Sequence, residues 1–517
     1  MTSYPLTSYP HNVADNFQYI VGRYRDRVAL SWSNGSTTTF AELAQLSDKV
    51  AHFLRREGVQ KGDRVCIRLE KTPLAYALIF GCLKLGAPYF VVDPSNPVSR
   101  VEHILNKCLP TLIFSASEPS LNLGGCRLIA VDHDDQFAAL EGVTDESFEH
   151  ADINGTDPAY IMFTSGSTGF PKGAVMSHAN LLNFIQWAKQ EFSITPDDVF
   201  TSVNPLYFDN SVFDLYASLM NGASLAPFDS VAMKDPYRVL RQIDELRCTI
   251  YFSVPSLLIY FQTLKMITPS AFSHVRTIIF GGEGYPKTKL KDLYDCFHAR
   301  AELVNVYGPT ECTCICSTYR LTSADFDNFE GYPPLGGPIP NFSFTILSER
   351  DEAVIPGEVG ELYLGGPCVG LGYFNDAELT QLAFRQNPLN LHYHERLYRT
   401  GDLVRVSPED RKVHFVGRRD TQIKHQGYRV ELGEIEHALC RISGVDEAAV
   451  LHTVRDGVSV IVGVVASRDG LTPEALRKEV ARLVPAYMVP SRVDVLERLP
   501  KNDNGKIDRR LLQTRYA

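Results

Sequence analysis

Residues 164–173 read Thr-Ser-Gly-Ser-Thr-Gly-Phe-Pro-Lys-Gly and follow directly on the apolar run Tyr160–Phe163. No other stretch constrains the fold as much. A loop of glycines and small hydroxyls leaving a buried strand lets backbone N–H groups approach a phosphate closely, and Lys172 adds the charge. A flexible Ser/Gly linker is the plain alternative, but linkers seldom start at the end of a buried strand and close on Pro-Lys-Gly. Neither Gly-Lys-Ser/Thr at the Walker spacing nor the dinucleotide pattern Gly-x-Gly-x-x-Gly occurs here. What remains is a polyphosphate loop of another kind.

Around it, the apolar runs Val65–Leu69, Tyr89–Val92, Thr111–Phe114, Thr277–Phe280 and Leu303–Tyr307 alternate with amphipathic stretches such as Val101–Lys107. That alternation predicts an α/β fold of parallel-rich sheets covered by helices, with ligands gathered beyond the carboxyl ends of the strands. The loops after Phe163, Phe280 and Tyr307 stand in such positions. From about Phe342 the texture turns to Gly-punctuated strands, a β-rich subdomain. Beyond Asp420 it changes again. Gly433–Cys440 reads as a helix, Glu447–Val454 and Val458–Ala466 as a hairpin around Asp456-Gly457, and Thr472–Leu483 as a helix with Thr472 as N-cap and Pro473 at its first position. The expected division is a large domain over 1–419 and a small α+β domain over 420–517, a size that can fold by itself.

A chain of 517 residues exceeds one compact core. Its formal charge of −10 argues against a general role on nucleic acid or membrane surfaces, which are themselves anionic. The N-terminus lacks a basic start and an apolar core, so it does not read as a secretory signal, and no stretch has the apolar length of a membrane span. Eleven cysteines without paired spacing fit reduced thiols. Cytoplasmic location is the expectation.

The loop resembles that of the adenylate-forming superfamily: acyl-CoA synthetases, beetle luciferases and the adenylation domains of nonribosomal peptide synthetases. Further stretches extend the resemblance in the family's order: Thr39-Phe-Ala-Glu-Leu, Leu83-Lys-Leu-Gly-Ala-Pro-Tyr, Tyr307-Gly-Pro-Thr-Glu, Gly360-Glu-Leu, Tyr398-Arg-Thr-Gly-Asp-Leu, Gly417-Arg-Arg-Asp and Asn504-Gly-Lys-Ile-Asp. The resemblance implies ATP and Mg²⁺. It places Thr164, Ser165, Gly166, Ser167, Thr168, Gly169 and Lys172 over the β- and γ-phosphates, Thr310 near the α-phosphate and Glu311 at the metal. Asp402 would accept both ribose hydroxyls, Arg418 would be a second ribose or phosphate contact, Tyr307 would stack near the adenine, and Gly282 and Glu283 would border base and substrate. Asp420 falls at the family's hinge, making the small domain mobile. Lys506, which alone reads as a solvated surface lysine, would bridge substrate carboxylate and α-phosphate, a role suited to a point cation on a long stem. Lys424, His425 and Arg429 read as a basic face, solvated in the case of His425.

The acid activated is indicated by Phe208-Asp-Asn-Ser-Val-Phe. In amino-acid-activating members the Asp of this motif pairs with the substrate's α-amino group, so Asp209 points to an amino acid; as a local reading, Asp209 is an N-cap for a helix over Ser211–Met220. The other matching pocket positions, Asn210, Phe213, Phe252, Ile279, Gly281, Val306, Cys314 and Ile315, carry no charge, and a charged side chain there would lack a partner. The set resembles pockets for valine- or isoleucine-like residues, except that Asn210 stands where a small residue is usual. That leaves room for a hydroxylated or smaller substrate. The expected function is ATP-dependent conversion of a neutral aliphatic amino acid to aminoacyl-AMP and its transfer to the phosphopantetheine thiol of a separate carrier protein, since no carrier segment follows Asp508. Alternatives are an alanine- or glycine-type carrier ligase of cell-surface modification and an acyl-CoA synthetase; a catalytically silent nucleotide-binding homologue is the reading from another class.

Overall fold

A computed structural model describes residues 10–116, 125–131, 138–166, 170–455, 458–467, 470–502 and 506–516. Ser167, Thr168, Gly169, Asp456, Gly457 and Asn504 lie outside the described residues.

Two large sheets carry the first 340 residues. One runs Gly372–Tyr373, Lys172–Ser177, Pro158–Thr164, Tyr89–Val91, Val65–Arg68, Leu112–Ser115, Arg127–Ala130; the other centres on Glu302–Tyr307, Thr277–Gly281, Ile250–Ser253, Val199–Ser202 and Ser224–Pro227. Their inner strands are parallel and buried almost throughout, as sheets covered on both faces are. Pro158–Thr164 and Lys172–Ser177, however, pair antiparallel, with Thr164 opposite Lys172. The loop after Thr164 therefore joins two antiparallel strands.

Helices between the strands start where side chains can satisfy their first N–H groups. Thr39 caps Phe40–Arg56 with a reciprocal Glu42 contact, and Thr72, followed by Pro73, caps Pro73–Leu85. One core of buried aliphatic and aromatic side chains, from Val13 through Phe342 to Val413, runs continuously through both large sheets and the antiparallel sheet that follows them.

That sheet contains Ser343–Leu347, Val359–Gly365, Arg396–Val406, Phe384–Gln386 and Val413–Arg418, as the Gly-punctuated texture predicts. After it come a two-stranded hairpin, Gln422–His425 with Tyr428–Glu431, and a three-stranded sheet, Glu447–Arg455, Val458–Ala466 and Arg492–Leu496. Helix Pro473–Val480 has the Thr472 cap and initial proline that the sequence predicts, and ends earlier.

Alternation gives the three-stranded sheet two apolar faces. Ala448, Val450, Ile461 and Val465 pack with Val430, Leu432 and Leu439. Ala449, Leu451, Val462 and Val464 pack with Leu499 and Leu512, and with Ile507 at their edge. The hairpin and the chain end thus lie on opposite faces of the tail. Among the described residues, no helix is long and apolar enough to cross a membrane.

Candidate active site

The carboxyl ends of the large-sheet strands open into a cavity of about 1330 Å³, closed on the other side by the tail's hairpin. A smaller cavity of about 70 Å³ adjoins it.

At the phosphate loop a fully buried carboxylate organises the charge. Glu311 Oε1 accepts from Tyr373 Oη at 2.6 Å and lies 3.2 Å from Lys172 Nζ; Oε2 accepts from Arg429 Nη1 at 2.7 Å. Lys172 also donates to Tyr373 Oη at 3.0 Å. Burial pushes the Glu311 carboxyl up, but Arg429 and Lys172 outweigh it and hold it far below the usual carboxylate range. Burial and then Arg429 pull the Lys172 ammonium down, against Glu311.

Two cations against one carboxylate leave an excess positive charge. Beside it, Thr164 Oγ1 and Arg429 Nε are buried with no hydrogen-bond partner. Buried unpaired donors are costly, and an anion supplies what they lack. The place of Tyr373 in this cluster has no signal in the sequence beyond a tyrosine in a Gly-rich stretch.

The Glu311→Ala variant would leave Lys172 and Arg429 facing each other without a counter-charge. Breaking a buried pair in this way costs about 3–5 kcal/mol. The expected result is a clear fall in the urea midpoint of the protein, and an unchanged midpoint would mean the cluster contributes no net stability.

Asp402 sits where Arg396–Val406 pairs with Val413–Arg418, directly opposite Arg418. Tyr307 Oη donates to Asp402 Oδ2 and Arg418 Nη1 to Oδ1, both at 2.5 Å, while Arg418 also forks onto Asp420 at 2.7 Å. Tyr307, Asp402, Arg418 and Asp420 all line the larger cavity. The Tyr307 hydroxyl holds Asp402, a contact the sequence did not indicate.

Asp209 lines the smaller cavity with Asn210, Phe252, Val306, Cys314 and Ile315. Thr310 Oγ1 donates to Asp209 Oδ2 at 2.6 Å, and Lys424 lies on the wall of both cavities. Burial raises the Asp209 carboxyl above its usual range, with Lys424 and the Thr310 hydroxyl pulling it back. Asp209 caps nothing: its side chain makes no cap bond, and the helix expected from Ser211 is a short α-helical turn, Asn210–Val212, running into a wider π-type turn, Phe213–Ala217.

Three expected pocket positions need correction. Phe213, Ile279 and Gly281 line neither cavity. Phe213 packs edge-on behind Phe252, 5.4 Å between ring centres, and Ile279 is wholly buried in the core. Gly281 is a close-approach position, since a Cβ there would sit 2.3 Å from the Val306 carbonyl oxygen.

The tail reaches this site through its hairpin. Gly427 N donates to Glu283 Oε2 at 3.0 Å and Ser256 N to Oε1 at 2.6 Å. Gly427 has φ of 83°, and a Cβ there would meet Val254 at 2.7 Å, so the turn demands glycine. Ser165 Oγ donates to the Arg429 carbonyl at 2.7 Å. The buried pair Arg100–Glu434 joins helix Val98–Cys108 to helix Leu432–Cys440.

The basic face is therefore not solvated. Arg429 is ion-paired, and His425 is buried against Ser459 at 2.7 Å. Lys506, expected at the centre of the site, is exposed and lines neither cavity. The hairpin occupies the cleft, and Lys506 follows from the opposite face of the tail.

The family model for "AMP-binding enzyme" matches residues 17–374, and that for "AMP-binding enzyme C-terminal domain" matches residues 434–506. An L-proline–(L-prolyl-carrier protein) ligase of Streptomyces coelicolor is 34% identical over 92% of this chain and 91% of its own length. Tyrocidine synthase 3 of Brevibacillus parabrevis is 33% identical over 99% of this chain, which spans 8% of that protein. Among solved structures, an NRPS protein containing adenylation and PCP domains, bound to a vinylsulfonamide inhibitor, matches with a TM-score of 0.84 at 25% identity over 98% of this chain and 84% of its own. A four-domain nonribosomal peptide synthetase bound to AMP and glycine matches with a TM-score of 0.69 at 29% identity, over 97% of this chain and 36% of that one.

Proposed function

The chain belongs to the AMP-binding enzyme family, and from that premise we propose that it uses ATP to convert a neutral amino acid with a short aliphatic skeleton to its aminoacyl-AMP, then passes the aminoacyl group to the phosphopantetheine thiol of a carrier protein. One observation carries the reading. Asp209 is a buried carboxylate on the wall of the small cavity, beside the apolar Phe252, Val306, Cys314 and Ile315, an arrangement that an α-ammonium needs and a fatty or aryl acid does not. The carrier-protein ligase of similar length supports the second step.

Joining a carboxylate to the α-phosphate brings two anions together, so fixed positive charge and positioning supply most of the barrier reduction. Thr164, Ser165, Gly166 and Lys172 would hold the outer phosphates, the unpaired Thr164 hydroxyl among them. Asp402, already fixed by Tyr307 and Arg418, would take the ribose hydroxyls. Glu311 fits Mg²⁺ as the single protein carboxylate of a site completed by phosphate oxygens and water. Both its oxygens are now engaged by cations or Tyr373, so Arg429 must yield when the metal is held.

In the same proposal Asp420 is the hinge between residues 1–419 and 420–517. The tail presents Lys424 and Arg429 for thiol transfer, and turns to present Lys506 for adenylation.

The test is exchange of labelled pyrophosphate into ATP across a panel of acids. Neutral amino acids should support exchange, and Asp, Glu, Lys and Arg should not. A wild-type preference for a fatty or aryl acid would overturn the amino-acid reading.

A further inference from the structure

Phe170 is the large apolar side chain of the stretch 164–173, whose other groups are hydroxyls, glycines, a proline and a lysine. An aromatic ring gives a phosphate no hydrogen bond. Its place is set by two histidines instead. The ring stacks on His103, 4.1 Å between centres and 2° from parallel, and meets His437 edge-to-face at 5.4 Å and 65°.

These histidines stand on opposite sides of Asp420 in the chain. His103 lies on helix Val98–Cys108 and His437 on the tail's helix Leu432–Cys440, the two helices that the buried pair Arg100–Glu434 joins. Each histidine follows its helix's member of that pair by three residues, one turn further along the same face. Arg100 reaches Glu434 directly; one turn on, the ring of Phe170 touches both helices. It enters their junction as a wedge. Burial, then Arg441, Arg100, His437 and Lys107, push the His103 imidazole below its ordinary value, so at neutral pH the stack is between uncharged rings.

Resting on the proposed turn of the tail at Asp420, we infer that Phe170 is a positioning residue that ties the phosphate-binding loop to the tail and favours the orientation in which the hairpin fills the cleft. When the tail turns, His437 leaves with it, whereas His103 and Phe170 stay together in the large domain. A contact made in only one of two states stabilises that state. The Phe170–His437 contact therefore draws the tail toward thiol transfer. Because such coupling is reciprocal, a ligand on the loop that displaces Phe170 releases the tail.

The experiment follows both half-reactions with the best acid of the panel above: pyrophosphate exchange, and transfer to pantetheine by rapid quench. An aromatic pair is worth about two- to twelvefold in an equilibrium. Phe170→Ala and His437→Ala should each slow transfer by about that factor without lowering exchange, since adenylation uses the other orientation. Phe170→Tyr and His437→Phe keep the ring contact and should restore the transfer rate. The double variant Phe170→Ala/His437→Ala should be no slower than either single one, because one contact is lost only once.

Losses that multiply in the double variant would reveal two separate defects and overturn the inference. So would transfer at the wild-type rate in both single variants. Exchange falling as much as transfer would also overturn it, because Phe170 would then support the loop in both orientations alike. Wild-type enzyme that exchanges pyrophosphate with no amino acid at all would sink the adenylation reading, and the inference with it.

Discussion

Replacing Lys506 with alanine is expected to lower aminoacyl-AMP formation by at least about a hundredfold, the scale on which removing a single preorganised charge donor acts, while the fold is unaffected. Lys506 is exposed and its backbone N–H bonds Asn502 Oδ1 at 3.1 Å, a contact the side chain does not influence. Surface substitutions of this kind shift stability by less than about 0.5 kcal/mol. The effect therefore requires that Lys506 travel to the cleft. Ile507, the next residue in the chain, packs with Leu499 and Leu512 on one face of the tail's sheet, and the hairpin now in the cleft belongs to the other.

Lys424→Ala provides the counterpart. Lys424 lies on the cavity wall as the structure stands, so its loss should fall on thioester formation and largely spare pyrophosphate exchange. Rapid-quench measurement of the two half-reactions separates the outcomes. Adenylate formation within about tenfold of wild type in Lys506→Ala would refute the assignment, and equal losses of both steps in both variants would refute the rotation.

Which parts of this were legible in sequence follows from the range of the forces involved. The strand before the loop at 164–173, the hairpin over 447–466 and the Thr472 cap depend on neighbours a few residues apart, and periodicity or capping chemistry identifies them. The ordered motifs identified Asp209, Glu311 and Asp402, and the structure brings each to a cavity wall or its immediate charge cluster.

Contacts between residues far apart in the chain were not legible. Tyr373 on Glu311, Gly427 on Glu283 and Arg100 on Glu434 span 62, 144 and 334 residues, and no local pattern encodes them. The pocket positions Phe213 and Ile279 were assigned one layer too far forward. A list of matching positions cannot tell a side chain that touches the cavity from one packed behind it, as Phe213 is behind Phe252. His425 was read as solvated because its neighbours are charged; the Ser459 hydroxyl that buries it belongs to a strand formed 34 residues later.

Asp209→Ala should reduce kcat/KM for the best amino acid by about 2–5 kcal/mol, or roughly thirtyfold to several thousandfold, the cost of truncating one partner of a buried charge pair. A deaminated analogue of the same acid has no ammonium to strand, so the variant should use it about as well as wild type does. That contrast separates loss of the pair from general damage, including release of Thr310, whose hydroxyl would lose its acceptor in either case. The pH profile supplies a second reading. Burial raises the Asp209 carboxyl above its usual range, and lowering pH through that raised value protonates it and removes the pair while the substrate amine stays charged. Wild-type kcat/KM for an amino acid should thus fall on the acid side at a pH above the ordinary aspartate value of about 3.9, and Asp209→Asn should lack that limb. An unchanged acid limb in Asp209→Asn, or an equal loss for amino acid and deaminated analogue in Asp209→Ala, would show that the carboxylate shapes the pocket without pairing with the substrate, and the amino-acid reading would lose its main support.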